Sequence, residues 1–272
     1  MLSSVSWYLT YTLAALYALL GTILFFMPEA AATMFAWKVS PFVAMTIGGW
    51  CLGNAWLAWV CTRRWDWSLT YAPLLYLWLF GLFQAIVVIA FRDKLLLSNG
   101  LAWLYLGALA VNCTAAGIGI SEWVLHRPAL RLVGAPMTMT ARVFTVAYVV
   151  FVLFLGLYGT LSTAGGRGGR VFPEVISLFT LRSFGALYLA LALSAAPLIV
   201  AKGLAPLQHT GYASFGLIVF ITAAALLNLR LFDFVNRPLG MLYIGAYLAV
   251  GLVVAVYLLR LGTGGEHASN PE

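Results

Sequence analysis

Residues 71–91 read YAPLLYLWLFGLFQAIVVIAF, without one charged side chain. An α-helix rises 1.5 Å per residue, so a stretch of this length reaches about 30 Å, the thickness of the hydrocarbon core of a bilayer. The apolar residues are continuous and do not alternate with polar ones, which excludes a strand of a membrane β-barrel. This stretch therefore predicts a membrane-spanning helix.

The whole chain has the same character. Of its 272 residues, 63% are hydrophobic and 8% are charged, against roughly 25% charged residues in a soluble domain. So few charges cannot solvate the surface of a soluble domain, and a disordered chain or a disulfide scaffold is excluded as well. The net charge of +7 is spread over single residues and pairs between the apolar stretches. We therefore expect membrane lipids as partners, and no nucleic acid.

Eight apolar stretches of this kind predict eight membrane-spanning helices. They cover residues 7–27, 41–61, 71–91, 101–120, 143–161, 183–201, 212–229 and 239–259. The first is expected to be an uncleaved helix and not a signal peptide, because it has the length of a span and no Lys or Arg precedes it. The predicted fold class is all-α, a polytopic integral membrane protein.

Short motifs recur in the same order about 138 residues apart, which indicates an internal repeat. The pairs are Leu19-Leu20-Gly21-Thr22 with Leu157-Tyr158-Gly159-Thr160, Pro28-Glu29 with Pro173-Glu174, Gly48-Gly49-Trp50-Cys51-Leu52 with Gly185-Ala186-Leu187-Tyr188-Leu189, Asp93 with Asp233, and Leu104-Tyr105-Leu106-Gly107-Ala108 with Leu242-Tyr243-Ile244-Gly245-Ala246. Each motif is weak alone, but five in order predict a tandem repeat of four plus four helices. Because four is even, both units enter the membrane in the same orientation, related by a pseudo-two-fold axis along its normal.

The repeat divides the chain into four parts. We predict a first four-helix repeat at residues 1–120, an interfacial linker at 121–142, a second four-helix repeat at 143–260 and a polar tail at 261–272. Lys and Arg number seven on the side of the termini and eight on the opposite side, so the positive-inside rule does not decide orientation. We expect a cell-membrane protein with cytoplasmic termini, since the basic linker and the polar tail lie on the same side.

Charged residues at span ends are the first candidates for a site. Four acids occupy repeat-related positions on the face opposite the termini, with three arginines nearby: Glu29, Glu174, Asp93 and Asp233, with Arg92, Arg182 and Arg230. Together they could form a polar face around the pseudo-two-fold axis that binds a cationic ligand or transfers protons. The alternative is structural, because Pro-Glu is typical of the first turn of a helix and the acids could pair with the arginines.

Amides within the spans are the second group: Asn54, Gln84, Asn112 and Asn228. Such side chains form hydrogen bonds between helices or line a cavity. No charged residue is predicted near mid-membrane, which argues against ion-coupled transport. The histidines, His126, His209 and His267, are all expected in loops or the tail, so no metal or haem site is predicted.

A third group is expected to pack helices closely. Gly49 and Gly53 form a small-x-x-x-small pattern, and Ala186 with Ala190 is its counterpart in the second repeat. The sequence contains no catalytic motif, so we expect no catalytic residues and no cofactor, although a bound lipid or pigment is compatible with the aromatic content.

Three functions remain open. The first is an accessory or scaffold subunit, or a lipid- or pigment-binding component of a membrane assembly with protein partners in the membrane. The second is a transporter of an uncharged or lipid-like small molecule through the interface between the repeats. The third is an enzyme acting at the membrane boundary through the repeated acids.

Overall fold

The structure, a computed structural model, describes residues 2–128, 130–162, 176–232, 234–235 and 239–264. These residues form α-helices joined by short turns, and the sole β-type pairing among them is a bridge between Pro136 and Gly203. The helices are α1 (Ser4–Phe26), α2 (Pro28–Met34), α3 (Pro41–Arg63), α4 (Trp67–Ala90), α5 (Gly100–His126), α6 (Met139–Leu161), α7 (Leu178–Ala195), α8 (Ala205–Leu227) and α9 (Leu239–Gly264). The predicted all-α class is confirmed.

Within the described part of the chain, seven helices are long and apolar enough to cross a membrane. They are α1, α3, α4, α5, α6, α7 together with the 3-10 turn that follows it to Val200, and α8. This confirms a multi-pass, membrane-type architecture. The eighth predicted span, residues 239–259, lies within α9, whose described side chains include a shorter apolar stretch, Tyr247–Val256.

Several helices extend beyond their predicted apolar windows. Helix α5 continues to His126 instead of ending at residue 120, and α8 begins at Ala205 instead of residue 212. The additional turns are more polar, so hydropathy does not detect them, but a helix continues for as long as its backbone hydrogen bonds are satisfied. Pro206 in the first turn of α8 is typical of such a start, because proline there forfeits no helical hydrogen bond.

Side-chain caps fix the start of many helices. An oxygen of the residue before the helix accepts a hydrogen bond from a backbone N–H of the first turn, which satisfies a donor that lacks a helical partner. This occurs at Ser3, Ser40, Asp66, Thr138 and Ser177. The ends of the long helices lie on two faces. We call the face where α1 begins, α3 ends and α8 begins the proximal face, and the opposite one the distal face.

The helices pack in corresponding pairs. Helix α1 packs on α3 as α6 packs on α7, and α4 packs on α5 as α8 packs on α9. Between these groups α3 packs on α8, α4 packs on α7, and α4 contacts α8. Glycines allow the closest approaches: a Cβ on Gly48 would lie 2.6 Å from the Phe25 nitrogen, and one on Gly185 would lie 2.6 Å from the Thr160 nitrogen.

The segment between α5 and α6 lies across the proximal face. The Met137 N–H donates to the Lys202 carbonyl at 2.9 Å, and the Leu204 N–H donates to the Ala135 carbonyl at 2.8 Å. These bonds attach the connection to the start of α8. It is shorter than the predicted linker of residues 121–142, because α5 ends at His126 and α6 starts at Met139.

Candidate functional site

A groove of about 460 Å³ opens on the proximal face between the ends of α3, α4 and α8. Its volume is within the range usual for small-molecule sites. We call it the proximal groove; its lining residues are Trp59, Val60, Arg63, Arg64, Leu69, Ala205, Gln208, His209 and Tyr212. Since α3 and α4 precede the α5–α6 connection and α8 follows it, the groove lies between the two parts of the chain that the sequence predicts to be repeats.

Two arginines make the groove positive. Arg63 and Arg64 are both exposed, and no ion pair joins either of them to an acid in the described structure. The Arg63 guanidinium lies 5.7 Å from the centre of the Trp59 ring, a cation–π contact that restrains the side chain without neutralising it. Asp66 is close in sequence, but one of its carboxylate oxygens caps α4 by accepting from the Ser68 N–H at 3.0 Å.

His209 lines the same groove and carries a buried polar atom. The residue is 9% exposed, and its Nε2 has no hydrogen-bond partner among the described residues. A buried nitrogen without a partner costs free energy, because no protein group replaces the hydrogen bond that it makes to water in the unfolded chain. The first turn of α8 has no side-chain cap, so the positive end of its helix dipole also lies at the groove, beside Ala205.

Aromatic and aliphatic side chains extend the groove along α8. The Trp56 Nε1 donates to the Tyr212 carbonyl at 3.0 Å, which joins α3 to α8 beneath the groove. Tyr212, Val219 and Leu226 follow one another at seven-residue intervals and are exposed. This spacing places them on one side of the helix, so an apolar strip leads from the groove along the transmembrane part of α8. The combination suits a ligand with an anionic head and an apolar tail.

A second polar feature is buried inside the first four long helices. Five buried polar side-chain atoms there have no hydrogen-bond partner within the described structure. Two are Asn54 Nδ2 and Asn112 Oδ1; the other three are Trp50 Nε1, Gln84 Oε1 and Tyr105 OH. Trp50, Gln84 and Tyr105 line one small cavity, together with Tyr17, Trp37, Ile47, Cys51, Phe80 and Leu109. We call these three residues and Tyr17 the buried polar cluster.

The predicted intramembrane amides occupy different surroundings. The Gln84 Nε2 donates to the Ser183 carbonyl at 2.8 Å and so joins α4 to α7. The Asn112 Nδ2 donates to the Tyr17 hydroxyl at 2.7 Å, and the Tyr76 hydroxyl donates to the Asn54 Oδ1 at 2.9 Å. Asn228 instead lies at the C-terminal end of α8, where its Nδ2 donates to the Ala224 carbonyl at 2.9 Å.

Only some residues of the predicted polar face lie within the part of the chain that the structure describes. Glu174 and Asp233 lie outside the described residues. Glu29 is exposed in the first turn of α2, directly after Pro28, as the structural alternative anticipates. Asp93 accepts from its neighbour Lys94 at 2.9 Å, and this contact holds the pKa of the Asp93 carboxyl below its ordinary value.

The arginines of the polar face do not meet the described acids. Arg92 and Arg230 are exposed in 3-10 turns. The Arg182 Nη1 donates to the Gly159 carbonyl at 2.7 Å, where it satisfies an acceptor in the last turn of α6. Among the described residues no ion pair or hydrogen bond joins these arginines to Glu29 or Asp93.

The residues expected to pack helices lie at buried contacts. A Cβ on Gly53 would lie 2.5 Å from the Leu217 Cα, and one on Gly49 would lie 3.1 Å from the Phe220 carbonyl carbon, so both glycines face α8. Ala186 and Ala190 are buried on α7.

Sequence reasoning missed the proximal groove. It expected His126 and His209 in loops, which is wrong: His126 is the last residue of α5, and His209 is buried in α8. The available signal was local, because Trp59 with Arg63 and His209 with Tyr212 are separated by four and three residues and so share a helical face. What the sequence could not supply is the meeting of α3 with α8.

No other chemical centre stands out in the described part of the chain. No group of three or more His, Cys, Asp or Glu residues there could hold a metal ion. No protein-family model, curated protein or solved structure matches this chain.

Proposed function

We propose that the protein is a lipid-binding component of a membrane and that an anionic phospholipid occupies the proximal groove. The observation that carries the proposal is the pair Arg63 and Arg64 beside buried His209: within the described residues neither arginine has an ion-pair partner and the His209 Nε2 has no hydrogen-bond partner. Basic pockets between transmembrane helices bind anionic lipid head groups in this way. Such a lipid-binding protein could serve as an accessory or scaffold subunit within a membrane assembly, and we include this role in the proposal.

The position of the groove favours a lipid over a soluble anion. The groove lies at the ends of helices long enough to span a bilayer, and Trp59 and Tyr212 are among its lining residues. Such aromatic residues prefer the boundary between head groups and hydrocarbon. The exposed strip of Tyr212, Val219 and Leu226 provides an apolar surface for an acyl chain.

Replacement of both groove arginines tests the proposal. Each basic residue near an anionic head group contributes about 1 kcal/mol, so loss of two weakens binding roughly 30-fold. We expect Arg63→Gln with Arg64→Gln to lower the affinity for dioleoylphosphatidylglycerol by about this factor. Native mass spectrometry of the protein in detergent, titrated with that lipid, measures bound lipid directly.

Matched controls separate the groove from general electrostatics. Arg92→Gln with Arg230→Gln removes the same charge from exposed distal positions and should leave binding unchanged. Titration with dioleoylphosphatidylcholine tests the charge of the head group, and titration with glycerol phosphate tests a soluble anion. Equal losses in the two double variants, or binding of glycerol phosphate as tight as that of the lipid, would contradict the proposal.

Transport of a lipid-like molecule between the two halves is the alternative, and the location of the groove favours it. The groove lies where α3 and α4 meet α8. Beneath it the halves are in close contact at Gly53 and Leu217, so transport would require α3 and α8 to separate. Exchange of fluorescent phosphatidylglycerol between the leaflets of reconstituted vesicles would support this function over simple binding.

We also propose eight spans, arranged as two four-helix units in parallel orientation, with cytoplasmic termini. The paired contacts support the repeat, because α1–α3 corresponds to α6–α7, α4–α5 to α8–α9, and α3–α8 to α7–α4. Helix α9 has 26 residues, about 39 Å at 1.5 Å per residue, which is enough to cross a bilayer.

A further inference from the structure

The buried polar cluster combines strong burial with unsatisfied hydrogen-bonding groups. Trp50, Gln84 and Tyr105 are 3%, 2% and 7% exposed, and each carries a polar atom that has no partner among the residues that the structure describes. Buried polar groups in native proteins are nearly always hydrogen-bonded, so three around one cavity require an explanation. The Tyr17 hydroxyl, which accepts from Asn112, completes the polar part of the wall.

The cavity is small and neutral. It offers about 10 Å³ to the centre of a water-sized sphere, close to the minimum that holds one water molecule. No charged side chain of the described residues lines it, and most of the remaining wall is aromatic or aliphatic. An ion would therefore lack a counter-charge, whereas a neutral molecule that both donates and accepts matches the groups present: an indole donor, an amide acceptor and two hydroxyls.

We propose that the first half contains a binding site for one water molecule among Trp50 Nε1, Gln84 Oε1 and Tyr105 OH. The water joins α3, α4 and α5. It also extends the polar contacts toward the second half, because Gln84 Nε2 bonds to the Ser183 carbonyl on α7. Trp37 covers the cavity on the side of the second half, where its ring stacks on Phe179 at 4.2 Å and its Nε1 donates to the Thr180 hydroxyl at 3.1 Å.

The direct test is magnetisation transfer from water to the indole N–H groups of the protein in lipid bilayers, measured by solid-state NMR with 15N-labelled tryptophan. Trp50→Phe assigns the Trp50 signal. We expect the Trp50 N–H to receive magnetisation from water although the residue is buried, and Tyr105→Phe to reduce the transfer. Trp37, equally buried but bonded to Thr180, is the internal reference. Transfer to Trp50 no greater than to Trp37 would overturn the proposal.

Thermal unfolding gives a second test, in which the direction of the change in Tm shows whether the Tyr105 hydroxyl has a partner. If water bonds to the Tyr105 hydroxyl, Tyr105→Phe removes a made hydrogen bond and lowers the Tm. If the hydroxyl has no partner, the same substitution removes a buried unsatisfied group and raises the Tm, which would also overturn the proposal. Tyr76→Phe is the matched control, because it deletes a buried hydroxyl that donates to Asn54, and it should lower the Tm.

Discussion

Gly119 shows how one absent side chain positions a large one. The Trp78 ring lies where a Cβ would stand, with its Cζ2 2.1 Å from that point. Trp78 is 2% exposed and also stacks on Trp67, with ring centres 6.1 Å apart, so it has no free space to move into. Gly117, two residues earlier on the same helix, has no described atom within 4 Å of its Cβ position.

The two glycines predict opposite effects of one substitution. Gly119→Ala should destabilise the protein by about 1–3 kcal/mol, because the added methyl group displaces the Trp78 ring in a packed interior. Gly117→Ala should stabilise it by about 0.5–1 kcal/mol, because alanine is the better helix former and meets open space. Thermal unfolding in detergent, followed by circular dichroism, measures both. Equal shifts of the Tm would mean that Trp78 does not pack on Gly119.

At the scale of elements, the contact between α3 and α8 holds the two parts of the chain together. Its centre is backbone against backbone: a Cβ on Gly53 would lie 2.5 Å from the Leu217 Cα. Above it, the Trp56 Nε1 bonds to the Tyr212 carbonyl. In lipid no hydrophobic effect drives helices together, so close packing of this kind supplies much of the attraction.

Gly53→Ala is expected to weaken the α3–α8 contact, and a change of rotamer in one side chain could not remove the clash. The obstacle is a main-chain atom, so the two helices must separate for the methyl group to fit. We expect a loss of about 1–3 kcal/mol in the free energy of unfolding, measured by denaturant titration in mixed micelles. Gly107→Ala is the control, because Gly107 lies on α5 and no atom of the described residues is within 4 Å of its Cβ position. A loss of the same size in both variants would contradict the close contact.

At the scale of the whole molecule, the number of spans decides where the termini lie. Eight spans, as we propose, bring the N- and C-termini to the same side of the membrane, whereas seven would bring them to opposite sides. The parallel repeat requires the even number, because each unit must return the chain to the side from which it started.

Reporter fusions test the count directly. Alkaline phosphatase, active outside the cytoplasm, and green fluorescent protein, fluorescent inside it, are fused in turn to each terminus. We expect fluorescence from both termini and phosphatase activity from neither. Fusions after His126, at the end of the first unit, should behave in the same way. Opposite results at the two termini would refute the eight-span arrangement and the parallel repeat with it.

The sequence by itself determined the class of this protein. Apolar stretches such as residues 71–91 have to be helical in a bilayer, because every backbone N–H and C=O must be satisfied within the segment. The same local physics explains the helix start at Pro28 and Glu29, where proline and an acid suit the first turn.

Only the tertiary structure decided which polar groups meet. The proximal groove brings Arg63 and Arg64, at the end of α3, next to His209 of α8, about 145 residues later in the chain. The buried polar cluster contains one residue each from α1, α3, α4 and α5. Hydropathy reports the free energy of transferring one segment into lipid, and this free energy depends on that segment alone. The contact of two helices depends instead on steric fit at positions such as Gly53 and Leu217, and no local pattern in either helix specifies its partner.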